Sequence, residues 1–347
     1  MKNSVINRKG FMAKGAGLVA LCVLASTPAC TAAKKEGDFS IIVLPDTQNY
    51  VEPHQINHFA PQTEWIKDNV GELNIKYVLH LGDVTEHNTT NEWNVGKSAM
   101  GTLDGVVPYA IVLGNHDYGT GDGRVSDRSS LFNDPGYFGP GSPYATQPSV
   151  GGFYPGEPGK TENSWHVFEA QKEKFLILAL EWGPREFVIE WAEAIVESHP
   201  NHHVILITHA YMNNDDTRYD WAAKGAAQAY GPHQTYYGST RLPGGTNDGE
   251  ELWQKLVKRH GNFILTINGH VLGDGTGRLA STGDKGNTVH QILNNFQMKE
   301  EGGQGYLRIY TFKADKKTVE VKTYSPVLDE FDTSPDQQFT LKLSAAL

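Results

Sequence analysis

Tyr77-Val78-Leu79-His80-Leu81-Gly82-Asp83 is a short apolar run that breaks at a glycine and delivers a carboxylate. It reads as a buried strand whose C-terminal end carries a polar ligand. The same arrangement stands on either side of it. Ser40-Ile41-Ile42-Val43-Leu44 runs into Pro45-Asp46-Thr47-Gln48, and Tyr109-Ala110-Ile111-Val112-Leu113 into Gly114-Asn115-His116-Asp117. Further on, Val204-Ile205-Leu206-Ile207-Thr208 ends at His209, and Ile267 is followed by Asn268-Gly269-His270. Open α/β sheets place their ligand sites just outside the carboxyl ends of their strands. Five strand ends therefore deliver oxygen and nitrogen donors to the place where such a site forms.

Helical periodicity between the runs, over roughly 55–71, 93–103, 184–198 and 248–260, predicts alternating strand and helix. Residues 163–180 and 287–343 change character and read mostly as strands, so a second sheet is expected to pack on the first. The expected fold class is α/β, a four-layer α/β/β/α sandwich of two mixed sheets flanked by helices, as a single domain over 38–343. Two Gly/Pro-rich stretches, 119–160 and 231–249, exceed ordinary connections and are expected to be substrate-facing loops. No internal repeat or low-complexity tract interrupts the chain.

The formal net charge is −10, and no Lys/Arg cluster follows the N-terminal region, so bulk nucleic-acid binding is disfavoured. Residues 1–33 combine basic residues (Lys2, Arg8, Lys9, Lys14), an apolar run from Gly15 to Leu24 and the small-residue stretch Ala25-Ser26-Thr27-Pro28-Ala29-Cys30. That is the pattern of an export signal, and its apolar run is too short for a comfortable membrane span. Cys30 after Thr-Pro-Ala resembles a lipoprotein box, the competing reading being ordinary cleavage after Ala29 or Ala33. Arg8-Lys9 resembles a twin-arginine signal with one Arg replaced. The chain is expected to be exported, periplasmic, cell-surface or extracellular, with membrane attachment only through a lipid on Cys30. The two cysteines, Cys22 and Cys30, both fall in this region. Internal disulfides and cysteine-ligated metals are thereby excluded from the mature chain.

Each strand-end fragment is weak alone: a Gly-Asp after a strand is most often a turn, and a lone His there a satisfied polar residue. Their order is what carries information. Divalent ions of hard or borderline character prefer carboxylate, amide oxygen and neutral imidazole, the donors present here. Taken in sequence, the motifs resemble those of the calcineurin-like metallophosphoesterase superfamily: an Asp-x-His, a Gly-Asp, a Gly-Asn-His-Asp/Glu, a lone His and a Gly-His-x-His. Pro45-Asp46-Thr47-Gln48-Asn49-Tyr50, Gly269-His270-Val271-Leu272-Gly273-Asp274-Gly275 and Asn287-Thr288-Val289-His290-Gln291 resemble an exported bacterial subgroup of it.

The resemblance implies two divalent ions, drawn from Mn, Fe or Zn. Asp83 would bridge them, Asn115, His209 and His270 would complete one site, and Asp46 with Gln48 would build the other. It implies hydrolysis of a phosphate mono- or diester by metal-activated water. His116 would stabilise phosphoryl oxygens or protonate the leaving alkoxide, with Asp117 orienting its imidazole. The expected partner is a phosphorylated small molecule or a cell-envelope ester.

Two positions depart from the family pattern. Gln48 stands where the first motif has His, and Leu272 where the last has its second His. Both losses fall on the Asp46 ion, which is expected to be labile. Asp274 and His290 are candidate replacements, against a Gly-flanked turn and an inward-facing strand residue. His80 and His87 could reach the site from the second motif. Arg218 could grip a phosphate or pair with Asp215 or Asp216. Two rival functions stand beside the hydrolase: a degenerate metal-binding scaffold, and a metal-dependent hydrolase of a non-phosphate ester or amide.

Overall fold

The computed structural model describes residues 37–119 and 127–344. Residues 1–36, which include the stretch expected to be an export signal and Cys30, and residues 120–126 of the first long loop lie outside the described residues. In chain order the strands are β1 (Phe39–Leu44), β2 (Ile75–His80), β3 (Tyr109–Ile111), β4 (Val150–Phe153), β5 (Ser164–Ala170), β6 (Glu173–Leu180), β7 (His202–Thr208), β8 (Phe263–Asn268), β9 (Thr276–Thr282), β10 (Thr288–Asn294), β11 (Leu307–Phe312), β12 (Thr318–Ser325), β13 (Glu330–Asp332) and β14 (Gln338–Lys342). The helices are α1 (Gln48–Val51), α2 (Phe59–Asn69), α3 (Thr90–Gly101), α4 (Glu186–Ser198), α5 (Trp221–Lys224) and α6 (Gly249–Lys255).

One sheet runs β13-β12-β11-β1-β2-β3, with β14 sharing an edge of β12 with β13; the other runs β4-β5-β6-β7-β8-β10-β9. Both are mixed. β1, β2 and β3 are parallel, as are β6, β7, β8 and β10, while β11 is antiparallel to β1. This is the expected pair of mixed sheets with flanking helices.

Period-two alternation sorts the strands' side chains into two cores. Ile41, Val43, Tyr77 and Leu79 of the first sheet meet Ile177, Ile205, Ile207 and Leu265 of the second. Their neighbours Ile42, Leu44 and Val78 pack with Phe59 and Ile66 of α2 and Trp93 and Met100 of α3, while Leu176 and Leu206 pack with Val188, Ala192 and Val196 of α4. Full burial of each such side chain is worth about 1.5–3 kcal/mol. α3 starts before the predicted 93 because Thr89 and Glu92 form a capping box. β4 and β9 went unread because they are edge strands, with Gly-rich or polar sequences that show weak alternation.

The described part of the 119–160 stretch departs from expectation. Phe132, Phe138 and Tyr144 are buried against one another and Trp93, with Phe132 and Phe138 stacked at 5.1 Å, so this segment supplies core rather than a substrate loop. Its aromatic residues bury more favourably than they solvate.

Candidate metal centre

The loops leaving β1, β2, β3, β7 and β8 converge at one end of the two sheets. Glycines permit the approach. A Cβ on Gly114 would collide with the Asp83 carboxylate, one on Gly269 with that of Asp46, and one on Gly82 with His209 and the Gly114 backbone. Two donor residues are themselves held in left-handed backbone, Asp83 at φ 47° and His270 at φ 74°. Each such residue costs on the order of 1–3 kcal/mol, strain that persists where surrounding structure imposes it.

His209 lies with its Nδ1 2.7 Å from the Leu81 carbonyl and its Nε2 3.0 Å from Asp83 Oδ2. His270 places Nε2 2.8 Å from the Tyr230 carbonyl and Nδ1 3.2 Å from His209 Nε2. A carbonyl only accepts, so each ring keeps an N–H on its carbonyl side and turns the other nitrogen inward. Two imidazole nitrogens and a carboxylate oxygen thus converge in a buried space, a donor set that suits a divalent ion. Electrostatics registers the crowding. Burial would lower the His209 pKa, but Asp83 and Asp46 outweigh it and raise it to about 9. Burial, then His209, push His270 down to about 3. The indole of Trp182 packs on both rings, at 5.6 and 4.7 Å between centroids.

Across Asp83 stands the second half. Both Asp46 oxygens accept the His270 backbone N–H at 3.0–3.1 Å, and Asn295 Nδ2 donates to Oδ2 at 3.1 Å. Burial lifts the Asp46 carboxyl to about 7, His209 opposing and Asp83 adding to the rise. The Gln48 side chain hydrogen-bonds Glu86, while its buried Oε1 has no partner among the described residues. An orphaned buried acceptor beside two carboxylates fits a cation. Asn115 is buried in the turn that opens the third motif. The structure therefore brings Asp46, Gln48, Asp83, Asn115, His209 and His270 to one end of the fold.

His116 donates its backbone N–H to Asp83 Oδ1 at 3.0 Å, and its Nδ1 sits 2.9 Å from the Glu86 carbonyl and 3.4 Å from the Glu86 carboxylate. The orienting role expected of Asp117 is not what the structure shows. Its two oxygens accept from Val84 N, Thr85 N, Thr85 Oγ1 and Gly114 N, so Asp117 shapes the Asp83 loop while Glu86 holds the imidazole. The reason is direction: the turn at 115–117 points consecutive side chains apart.

His80 braces both neighbouring loops, with Nε2 3.1 Å from Thr47 Oγ1 and Nδ1 accepting from Gly82 N. His87 is largely exposed beside Glu52. His290 contacts the Lys342 carbonyl, and Asp274 accepts from Thr276 N in a glycine-flanked turn. Arg218 takes neither expected role: it binds Glu250, Gln291 and Ser281 and lies over Trp253, tying α6 to the β9–β10 pair. Asn295, Trp182 and the Tyr230 carbonyl went unread. Asn295 follows the end of β10 and obeys the strand-end rule already used; a backbone carbonyl leaves no sequence signal.

A family model described as calcineurin-like phosphoesterase matches residues 39–274, more than half of the chain, and the chain belongs to that family. The uncharacterized protein YvnB of Bacillus subtilis (strain 168) is 29% identical over 317 residues, covering 88% of this chain and 22% of YvnB, so the chain spans about a fifth of that relative's length. The purple acid phosphatase PPD1 from yellow lupin (Lupinus luteus) seeds superposes with a TM-score of 0.51 at 13% identity, over 89% of this chain and 54% of that one, a likeness of fold.

Proposed function

We propose that the chain is an exported hydrolase of phosphate mono- or diesters that works with two divalent ions. The observation that carries this reading is the convergence of His209 Nε2, His270 Nδ1 and Asp83 Oδ2, each ring's other nitrogen being tied to a backbone carbonyl. Asn115, His209 and His270 would hold one ion, Asp46 and Gln48 the other, and Asp83 both. Ions bound there would supply a nucleophile at neutral pH and offset charge on the phosphoryl oxygens.

The remaining work falls to the chain. With Nδ1 of His116 anchored at Glu86, Nε2 is the nitrogen left to hold a phosphoryl oxygen or hand a proton to the departing alkoxide. Burial would lower this ring's pKa, but Asp83 and Glu86 together raise it above that of a free imidazole, which favours the proton-donating form. Asp117 and His80 keep the Asp83 loop in its strained shape.

The substrate would be a phosphorylated small molecule or cell-envelope ester, and the N-terminal pattern of residues 1–33 supports export. Metal content by mass spectrometry on natively purified protein, paired with phosphatase, phosphodiesterase and carboxylic-esterase assays after Mn²⁺, Fe²⁺ or Zn²⁺ loading, tests the reading. Bound metal with phosphoesterase activity supports it. No metal and no activity would sink it in favour of a degenerate scaffold, and activity on carboxylic esters alone would move it to another class.

A further inference from the structure

The stretch Glu181-Trp182-Gly183-Pro184 leaves β6 beside the metal centre without entering a helix or strand, so its backbone carbonyls have no partners from regular structure. Side chains from elsewhere in the fold take them one after another. Thr208 Oγ1 donates to the Glu181 carbonyl at 3.0 Å, Arg128 Nη1 to that of Trp182, Arg128 Nη2 and Thr246 Oγ1 to that of Gly183 at 3.0 and 3.1 Å, and Asn247 Nδ2 to that of Pro184 at 2.8 Å. The indole carried by this turn is fully buried and packs on Tyr237 as well as on His209 and His270. Where the turn sits therefore decides how the indole bears on both imidazoles.

Arg128 is the costly member of this set. It lies in a connecting segment, in left-handed backbone at φ 56°, yet it is only 2% exposed. Burying a guanidinium is unfavourable unless its charge is paired and its N–H groups are bonded. Pairing with Glu181 does not account for its geometry. The Glu181 carboxylate already takes Arg185 through two bonds of 2.7 Å, and Arg128 Nη1 stands 3.7 Å from Glu181 Oε2, beyond hydrogen-bonding distance. Both terminal nitrogens of Arg128 go instead to consecutive carbonyls, those of Trp182 and Gly183, a grip that the fixed fork of a guanidinium makes and a lysine ammonium does not. The Arg128 segment is anchored in turn to the loop between Asp83 and α3, because Asn88 accepts from Leu131 N at 3.1 Å and donates to the Gly119 carbonyl at 2.8 Å.

We propose that Arg128 is a positioning residue for the metal centre: by gripping the Trp182-Gly183 turn it holds the indole against His209 and His270, and so sets the spacing and angle at which the two imidazoles meet an ion. The inference rests on the metal-centre reading, and its test separates the two. Co²⁺, whose visible absorption reports ligand number and geometry, is titrated into the metal-free full chain of the wild type, Arg128→Lys, Trp182→Leu and the double variant, at a temperature where denaturant titration shows each to be folded. Arg128→Lys keeps the positive charge near Glu181 and removes the fork. Its affinity for the first Co²⁺ should fall by about tenfold or more with an altered visible spectrum, the range seen when groups that orient metal ligands are removed. Trp182→Leu should lose at least as much, and the double variant no more than Trp182→Leu alone, since both changes act through one side chain. Should Trp182→Leu not fold, Trp182→Phe takes its place in the cycle. Wild-type affinity and spectrum in Arg128→Lys would overturn the proposal and leave the metal centre standing. Losses that add in the double variant would overturn the route through Trp182. A wild-type chain that binds no Co²⁺ would sink the metal-centre reading and this inference with it.

Discussion

His209 and His270 reach the centre from β7 and β8 with each ring fixed at its far nitrogen by a backbone carbonyl and covered by Trp182. Asp46 and Gln48 reach it from the segment after β1 with less: no imidazole, and an amide oxygen that finds no partner among the described residues. The first half is a preorganised nitrogen-rich pair. The second is an oxygen-only set joined to the first through Asp83. Nitrogen ligands bind borderline ions more tightly than neutral amide oxygen, so the difference predicts one firmly held ion and one that exchanges.

The largest expected effect removes the residue common to both halves. Asp83→Ala should empty both sites in a metal analysis of the purified protein; a variant that still carries two ions per chain would defeat the bridging role. Next comes His116→Ala, for which turnover should fall by about 10²- to 10⁴-fold while metal content stays near that of the wild type. Loss of metal with unchanged turnover per bound ion would show that His116 serves the ions and not the leaving group.

Leu272→His sharpens the comparison directly, since it restores an imidazole two residues after His270. Affinity for the second ion, read by metal titration, should rise by at least about tenfold, a change even outer-shell substitutions can produce. No change would mean that position 272 does not face the Asp46 half.

The smallest effect concerns a buried imidazole with no role in either half. His166, on β5, is held down to about 3 by burial. Its folded pKa lies below the unfolded value of about 6.5, so its contribution to stability is fully present above pH 6.5 and is lost as pH falls toward 3. Wild-type stability should drop by about 2 kcal/mol from this group between pH 6.5 and 5. His166→Phe, among Tyr77 and Tyr144, should remove that part of the acid sensitivity in denaturant titrations at the two pH values. An identical pH slope in the variant would mean that the ring is not buried neutral.

Much of this was legible because strand ends and their donors are local in sequence. Leu81-Gly82-Asp83 and Leu113-Gly114-Asn115 announce both a buried strand and the residue it presents, and the collisions a Cβ would make at Gly82 and Gly114 explain why glycine stands there. What stayed hidden was non-local. The swap of Glu86 for Asp117 beside His116 depends on side-chain direction within one short turn. The aromatic stretch around Phe132 reads as a loop by its glycines and prolines, yet packs as core against Trp93. Arg218, two residues beyond the acidic pair Asp215-Asp216, passes over its neighbours for Glu250 across the fold. Edge strands β4 and β9 lack the alternation that burial on a face enforces.

The placement of β1 has a consequence in time. It lies between β2 and β11, and Ser40 hydrogen-bonds Thr311 across a separation of 271 residues. During synthesis the second edge of β1 therefore stays open until β11, some 271 residues further along, has been made. Pairings of such long range form slowly, because the intervening chain must first be closed into a loop. The centre inherits the same delay, since Asp46 is braced by Asn295 across 249 residues. In this topology the edge of β1 and the carboxylate of Asp46 are therefore among the last parts of the fold to find their partners.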